Sequence, residues 1–511
     1  MIRLRAAVLG IAAVLLAGCG LTPPGAAAPP PAAAPTVGLP DPADPLPLDQ
    51  LASFSGVAVM NAGSNCTGTL IDTGAPDGPA YILTNGHCVG DVGRSPQQTT
   101  HEEDWYGTAT FLAAAGNQDA RLEVEVTALA YSTMRHTDTA VLRLKPTLGE
   151  LTALGIRPIP VTGVEPAPGT PVVNIGAPVQ ELSENEWVLR RGECTLGARH
   201  TLIEFRWLWF GVWSNDCPGI VQGSSGSPLL TLGPDGEPTA VVAMINTTTA
   251  GSDPAMGGAC WLNRPCEVGA DGARMVPDTS YAQSVAGLGA CFTTAGEFSR
   301  EEPGCPLPDS DVWAESGGGS FRGGGEGDAF DQPSQVSLVG REPASVRTAL
   351  VPLRDATACQ APETYAGAVA LDIPAAGEAW EQVGRVVPVE LPASEGRFLF
   401  CAVNGENYAG AASVLFQVDR TPPVLPAGAE VVDSDGSVIV VPHLNPPEIA
   451  TVRFAWGAPE AIDCGDPSGF QDFFIIPLTL TADDLPARYC IYALDDAGNA
   501  GPVTTIELPA R

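Results

Sequence analysis

The sequence predicts an all-β protein of several domains, and three observations carry that prediction. Glycine (58) and proline (49) make up about a fifth of the 511 residues, while aromatics are only 6%, a mix that suits turn-rich sheets better than helical bundles. Short apolar runs recur between clusters of Gly, Pro, Asn and Asp. The last third of the chain also contains an internal repeat of strand-like segments. At roughly 150 residues per domain, the length allows about three folded units.

The elements follow in order. Residues 1–18 read as an export signal and 19–48 as an alanine- and proline-rich spacer, stiff and extended. Residues 49–308 form the first β-domain, with strands expected at 56–60, 81–84, 108–112, 122–128, 139–144, 171–175 and 240–245. One helical stretch is expected, at 281–288. Residues 309–335, with two Gly-Gly-Gly runs, read as a flexible linker. The repeat fills 336–420 and 421–511. Val346-Arg347 leads to Cys359, as Val452-Arg453 leads to Cys464. Phe400-Cys401-Ala402-Val403 matches Tyr489-Cys490-Ile491-Tyr492. A proline-rich junction, Asp419-Arg420-Thr421-Pro422-Pro423, separates the copies. Two tandem β-sandwiches are the natural reading, and by pattern and spacing they resemble bacterial immunoglobulin-like modules.

Charge narrows the function. A net charge of −34 repels nucleic acid and anionic lipid headgroups. At the N-terminus, Arg3 and Arg5 precede an apolar run too short to cross a bilayer but right for a signal core. That run ends in Leu16-Ala17-Gly18-Cys19, which resembles the lipobox of bacterial lipoproteins. The resemblance implies cleavage before Cys19, acylation of its sulfur and attachment to a membrane. Gly20 is not the aspartate that resembles an inner-membrane retention signal, so the outer membrane or cell surface is expected. The rival reading is an ordinary signal peptide with a cysteine near its cut.

Setting Cys19 aside, the 13 cysteines leave an even number in an exported chain, which points to six disulfides. Proximity suggests Cys66–Cys88, Cys194–Cys217, Cys260–Cys266, Cys291–Cys305, Cys359–Cys401 and Cys464–Cys490, although sequence alone leaves the connectivity open. No pair has the short spacing of zinc ribbons or knuckles. No metal and no cofactor are expected.

Three segments carry chemistry. Leu83-Thr84-Asn85-Gly86-His87-Cys88 puts a histidine just after a strand. Thr137-Asp138-Thr139-Ala140-Val141-Leu142 puts an aspartate just before one. Gly223-Ser224-Ser225-Gly226-Ser227-Pro228 puts a serine between glycines. Each alone has a structural explanation, as a satisfied histidine, a turn aspartate or a loop. Together, in the order His, Asp, Ser, they resemble the chymotrypsin/trypsin-like serine peptidases. Cys66-Thr67-Gly68-Thr69-Leu70-Ile71 resembles the family's upstream cysteine strand, which supports the Cys66–Cys88 pair specifically. Gly169 and Asn174-Ile175-Gly176 fit its mid-domain stretch. The resemblance covers about half of the chain.

It implies a double β-barrel over 49–308 and a serine endopeptidase acting on proteins or peptides. Ser225 is the expected nucleophile, His87 the general base and Asp138 the carboxylate that orients the ring. The N–H groups of Gly223 and Ser225 form the expected oxyanion hole. Glycine at 223 would keep that approach unobstructed. Asn246, Thr247 and Thr248 are expected to line the cleft and bond the substrate backbone. The α/β-hydrolase elbow is excluded, because Ser227 stands where its second glycine belongs and the triad order differs.

Departures from the family pattern matter too. Ser224 replaces the aspartate that pairs with a newly cut N-terminus in animal members, so activation by that ion pair is not expected. Gly219, six residues before Ser225, is not acidic, which leaves Asp216 as the acidic candidate for a specificity pocket. His101-Glu102-Glu103-Asp104 reads as an acidic loop, His136 as a surface residue, and His200 and His443 lack supporting context. The rival function is a non-catalytic surface adhesion or scaffold lipoprotein with a vestigial protease domain. In either case the C-terminal modules are expected to bind a surface protein or polysaccharide.

Overall fold

The computed structural model describes residues 40–510 except 90–98, 181, 184–185, 253–258, 310, 317–320, 323–333, 377–383, 424–427, 435–436, 443–448 and 474–476. The signal segment, Cys19, most of the spacer and His443 lie outside the described residues. Among the described residues, no helix is long and apolar enough to cross a membrane.

The spacer ends earlier than the composition suggests. β1 (Asp44–Pro45) pairs with Arg190 and Arg191, and Leu46 is buried. Six strands then close a barrel: β2 (Val57–Asn61), β3 (Asn65–Leu70), β4 (Pro79–Thr84), β5 (Thr99–Phe111), β6 (Leu122–Thr133) and β7 (Thr139–Thr147). The short helix α1 (Gly86–Val89) follows β4, and α2 (Leu148–Ala153) follows β7 behind a Thr147–Glu150 capping box. His101-Glu102-Glu103-Asp104 belongs to β5, not to a loop.

A second ring runs through β8 (Pro171–Gly176), β9 (Arg190–Glu204), β10 (Trp207–Asn215), β11 (Pro228–Leu232) and β12 (Pro238–Thr248). The hairpin β13 (Cys266–Gly269) and β14 (Gly272–Arg274) hangs off β9, and β15 (Ser280–Ser284) completes the ring between β12 and β10. Because β9 pairs with both β8 and β10, this ring also closes. β15 replaces the expected 281–288 helix. Tyr281 and Ala282 alternate between two buried faces there, and pairing on both sides overrides the local pattern.

Barrel strands read as continuous apolar runs because both of their faces are covered. In β4, Ala80 and Ile82 point into the first barrel, while Tyr81 and Leu83 face the second. In β8, Val172 fills the second barrel, while Val173 and Ile175 meet the first. The period of two thus sorts one strand between two cores.

The repeat is a repeat of structure. β16 (Val312–Ser316), β18 (Gln335–Gly340) and β21 (Arg385–Pro388) form one sheet. β17 (Phe321–Arg322), β19 (Ala344–Pro352), β20 (Leu371–Ile373), β22 (Gly396–Asn404) and β23 (Ala412–Val418) form the other, in the order β17-β23-β22-β19-β20. The last part of the chain repeats this plan. β24 (Ala429–Ser434), β25 (Ser437–Pro442) and β28 (Leu478–Leu480) form a three-stranded sheet. β26 (Thr451–Gly457), β27 (Gln471–Asp472), β29 (Ala487–Leu494) and β30 (Thr504–Leu508) form a four-stranded one, in the order β27-β26-β29-β30. In each module one apolar core joins the two sheets. All six cysteine pairs suggested by proximity are bonded, which places the chain in an oxidising, extracytoplasmic compartment.

Of the expected linker at 309–335, several described residues belong to sheets. Residues 312–316 are a strand of the first module, and 335 begins another. The connection itself is pinned down. Tyr131 donates to the Pro308 carbonyl at 2.9 Å. Asp309 takes Arg300 and Arg341, each at 2.8 Å. His101, whose Nε2 lies 3.6 Å from Oδ1, and these two guanidiniums, acting against burial, bring its carboxyl down to about 2. A shared core then joins Ile203, Leu208, Cys260, Cys266 and Met275 of the second barrel to Leu353, Cys359, Tyr365 and Leu399 of the first module.

The loop before Asp138 is part of the same junction. Arg135 is 1% exposed. It donates to the Val312 carbonyl at 2.9 Å and to the Gly410 carbonyl, and burial lowers its pKa to about 10. His136, expected at the surface, is buried against Phe210, and its Nδ1 faces the Ala409 carbonyl at 3.3 Å. Burial, with Arg135 beside it, pushes the imidazole down to about 3. The folded state therefore holds a neutral ring, while the unfolded chain takes up a proton below about pH 6.5. Stability from this group is present above that pH and is lost as pH falls from about 6.5 towards 3. The melting midpoint of His136→Asn should fall less over this window than that of the parent, asparagine being tolerated at the positive φ of 61°. Equal slopes in calorimetry would remove His136 from the account.

Candidate active site

The three sequence segments converge between the barrels. α1 carries His87 at the end of β4, and Asp138 immediately precedes the neighbouring β7. His87 Nδ1 meets Asp138 Oδ2 at 2.6 Å, and the His87 backbone N–H donates to Asp138 Oδ1 at 2.9 Å. Asn85 donates to the Asp138 carbonyl at 3.0 Å. The aspartate is fully buried and the imidazole partly open to a cleft. Burial works against the imidazolium. The charge and hydrogen bond of Asp138, with Glu204 beyond, outweigh it, so the His87 pKa lies above its ordinary value.

Ser225 comes from the second barrel and lines the same cleft of about 1020 Å³. No hydrogen bond joins its hydroxyl to His87 in this structure, as is common before substrate binds. The loop around the serine is locked from both barrels. Thr67 on β3 bonds the Ser225 carbonyl through its N–H at 2.8 Å and the Gly223 carbonyl through its hydroxyl at 3.1 Å. Ser227 accepts from Asn174 at 2.8 Å. Ser224 Oγ accepts the Val221 N–H at 3.3 Å, so the turn 221–224 closes on itself without an external ammonium. The N–H groups of Gly223 and Ser225 have no acceptor among the described residues.

Glycine at 223 is also required by the backbone. Its φ is +94°, and a Cβ there would lie 2.7 Å from the Val179 nitrogen. Gly226, at φ +78°, would place a Cβ 2.1 Å from the Thr67 carbonyl oxygen. Both are demanded by backbone conformation and close approach.

Asn246, Thr247 and Thr248 line the cleft on β12, and both polar atoms of the Asn246 amide are buried without a partner. Asp216 is no part of the cleft: it is exposed, and its carboxylate is taken by the Thr195 N–H at 2.6 Å. Gly219 packs on the N-terminal segment, where a Cβ would meet the Ala43 nitrogen at 2.3 Å. His200 sits away from the cleft with Glu267 and Ser214. The sulfurs near His87 form the Cys66–Cys88 disulfide and are not free thiolates. Sequence reasoning missed Thr67, Trp207, Trp209 and Glu204. Of these only Thr67 has a local signal, inside the cysteine motif.

Two closed six-stranded barrels with such a cleft between them are the architecture of the chymotrypsin-like serine proteases. Residues 66–243 match the family model of the trypsin-like peptidase domain, so this part of the chain is a trypsin-like peptidase domain. No curated protein matches the chain in sequence. Among solved structures, the thermostable serine protease AL20 from an extremophilic microorganism is 12% identical, covering 46% of this chain and 93% of its own, with a TM-score of 0.30. Neuropsin, a serine protease expressed in the limbic system of mouse brain, is 15% identical over 46% and 90%, with a TM-score of 0.29. A scabies mite inactivated protease paralogue is 15% identical over 48% and 94%, with a TM-score of 0.31.

Proposed function

We propose that the protein is a serine endopeptidase that works outside the cytoplasm, tethered through a lipid on Cys19 to the outer membrane or cell surface. The observation that carries the catalytic reading is the 2.6 Å His87–Asp138 contact, opening on a cleft shared with Ser225, beside two backbone N–H groups that no described residue accepts. His87 Nε2 takes the Ser225 proton as Oγ attacks the peptide carbonyl. Asp138 stays ionised and holds the ring in the tautomer with Nδ1 protonated. The Gly223 and Ser225 N–H groups receive the oxyanion. His87 then protonates the leaving amine, and water hydrolyses the acyl-enzyme by the same route. Because the 221–224 turn is self-contained, no activating cleavage is needed.

A serine-reactive phosphonate should label the full-length protein, held in mild detergent, at Ser225 as mapped by mass spectrometry. The same preparation should cut a diverse peptide mixture. Absence of both would favour the non-catalytic scaffold. A pH profile gives a second check. The base must be neutral, so with its pKa raised, kcat/KM should climb with pH along a limb centred above about 6.5. A limb centred below that value would contradict the influence of Asp138.

A further inference from the structure

Glu204, the last residue of β9, is 4% exposed and forms part of the cleft wall. Its Oε2 accepts the Thr247 hydroxyl at 2.7 Å, and its Oε1 accepts the Asn263 N–H at 2.9 Å. No lysine or arginine among the described residues forms an ion pair with it. A carboxylate withdrawn from water normally has a cationic partner, because desolvation is otherwise uncompensated. Each oxygen also keeps a lone pair beyond the bond it already accepts. Beside it stand Trp207, its cross-strand neighbour on β10, and Trp209, their rings stacked at 6.0 Å and 11°. A carboxylate next to indole faces suits a cation on an aliphatic stem. Thr247, which fixes one oxygen, belongs to the strand assigned to the substrate backbone, so a side chain of a bound peptide is what can reach it.

We infer that Glu204 is the anionic wall of a subsite selecting substrates with an arginine or lysine at one position near the cut bond. This rests on the peptidase reading. It places the acidic determinant at the end of β9, outside the segment preceding the nucleophile.

The test uses the full-length protein and peptides that carry Arg, Gln or norleucine at one position at a time, read as kcat/KM. At one position the parent should favour Arg over norleucine by about 10- to 100-fold, the range of a charge-assisted hydrogen bond. In Glu204→Gln that ratio should collapse towards one, and in Glu204→Asp part of it should remain. Comparing peptides within one variant cancels any general loss of activity. An unchanged ratio in Glu204→Gln would overturn the proposal. If neither variant folds, agmatine decides on the parent: inhibition of Arg-peptide cleavage supports the subsite, and none overturns it. A parent labelled at Ser225 with no Arg preference sinks the subsite alone. A parent neither labelled nor active sinks the peptidase reading with it.

Discussion

Replacing Ser225 with alanine is expected to lower turnover on the best peptide by about a million-fold, as removing the nucleophile does in another Ser-His-Asp enzyme. The hydroxyl makes no hydrogen bond to a described residue, so the melting midpoint should stay where it is. Adding His87→Ala to Ser225→Ala should cost almost nothing more, since a base without a nucleophile has no task. Asp138→Asn should cost about four orders of magnitude. Its amide would present N–H groups to Nδ1, forcing the tautomer in which Nε2 already holds a proton. Single-turnover assays with purified variants would read these losses, and a Ser225→Ala protein that still cleaves would refute the assignment.

The second large effect is expected from cutting the chain after residue 308. This would uncover Ile203, Leu208 and Met275 and strip Arg135 of both carbonyl acceptors. Water would reach Arg135 and His136, and the loop that ends at Asp138, three residues after Arg135, would lose its anchorage. The truncated protein should be insoluble or unable to take the phosphonate. A chain ending at residue 420 keeps the junction and should remain folded and labelled. Within the full chain, Arg135→Ala should lower stability by about 3 kcal/mol. A soluble, fully active 40–308 fragment would show that the barrels do not need the module.

These two effects were unequally legible in the sequence. His87, Asp138 and Ser225 stand in short motifs whose chemistry is local, and the six disulfides could be paired by proximity. Turn residues and apolar runs were enough to place most barrel strands. The junction was not legible, because Arg135 reads backbone carbonyls 177 and 275 positions away, and a carbonyl leaves no mark in the amino-acid code. His136 looked like a surface residue for the same reason, since its burial is supplied by a different domain. Glu204 has no motif around it, and only the β9–β10 hairpin brings it to the cleft. The 281–288 segment failed because tertiary pairing decides between helix and strand when a short run is ambiguous.

The two modules share one strand plan, but mutation should weigh on them differently. In the first, Leu353, Ala356 and Cys359 are buried, pressed beneath the second barrel. In the second, the matching stretch around Cys464 carries exposed Glu460, Asp463 and Asp466. A polar exchange that passes unnoticed at position 463 would, at position 356, disturb an interior. One copy of the repeat thus shares its interior with the barrels, while its twin is expected to be freer to drift and to acquire new contacts without disturbing the site.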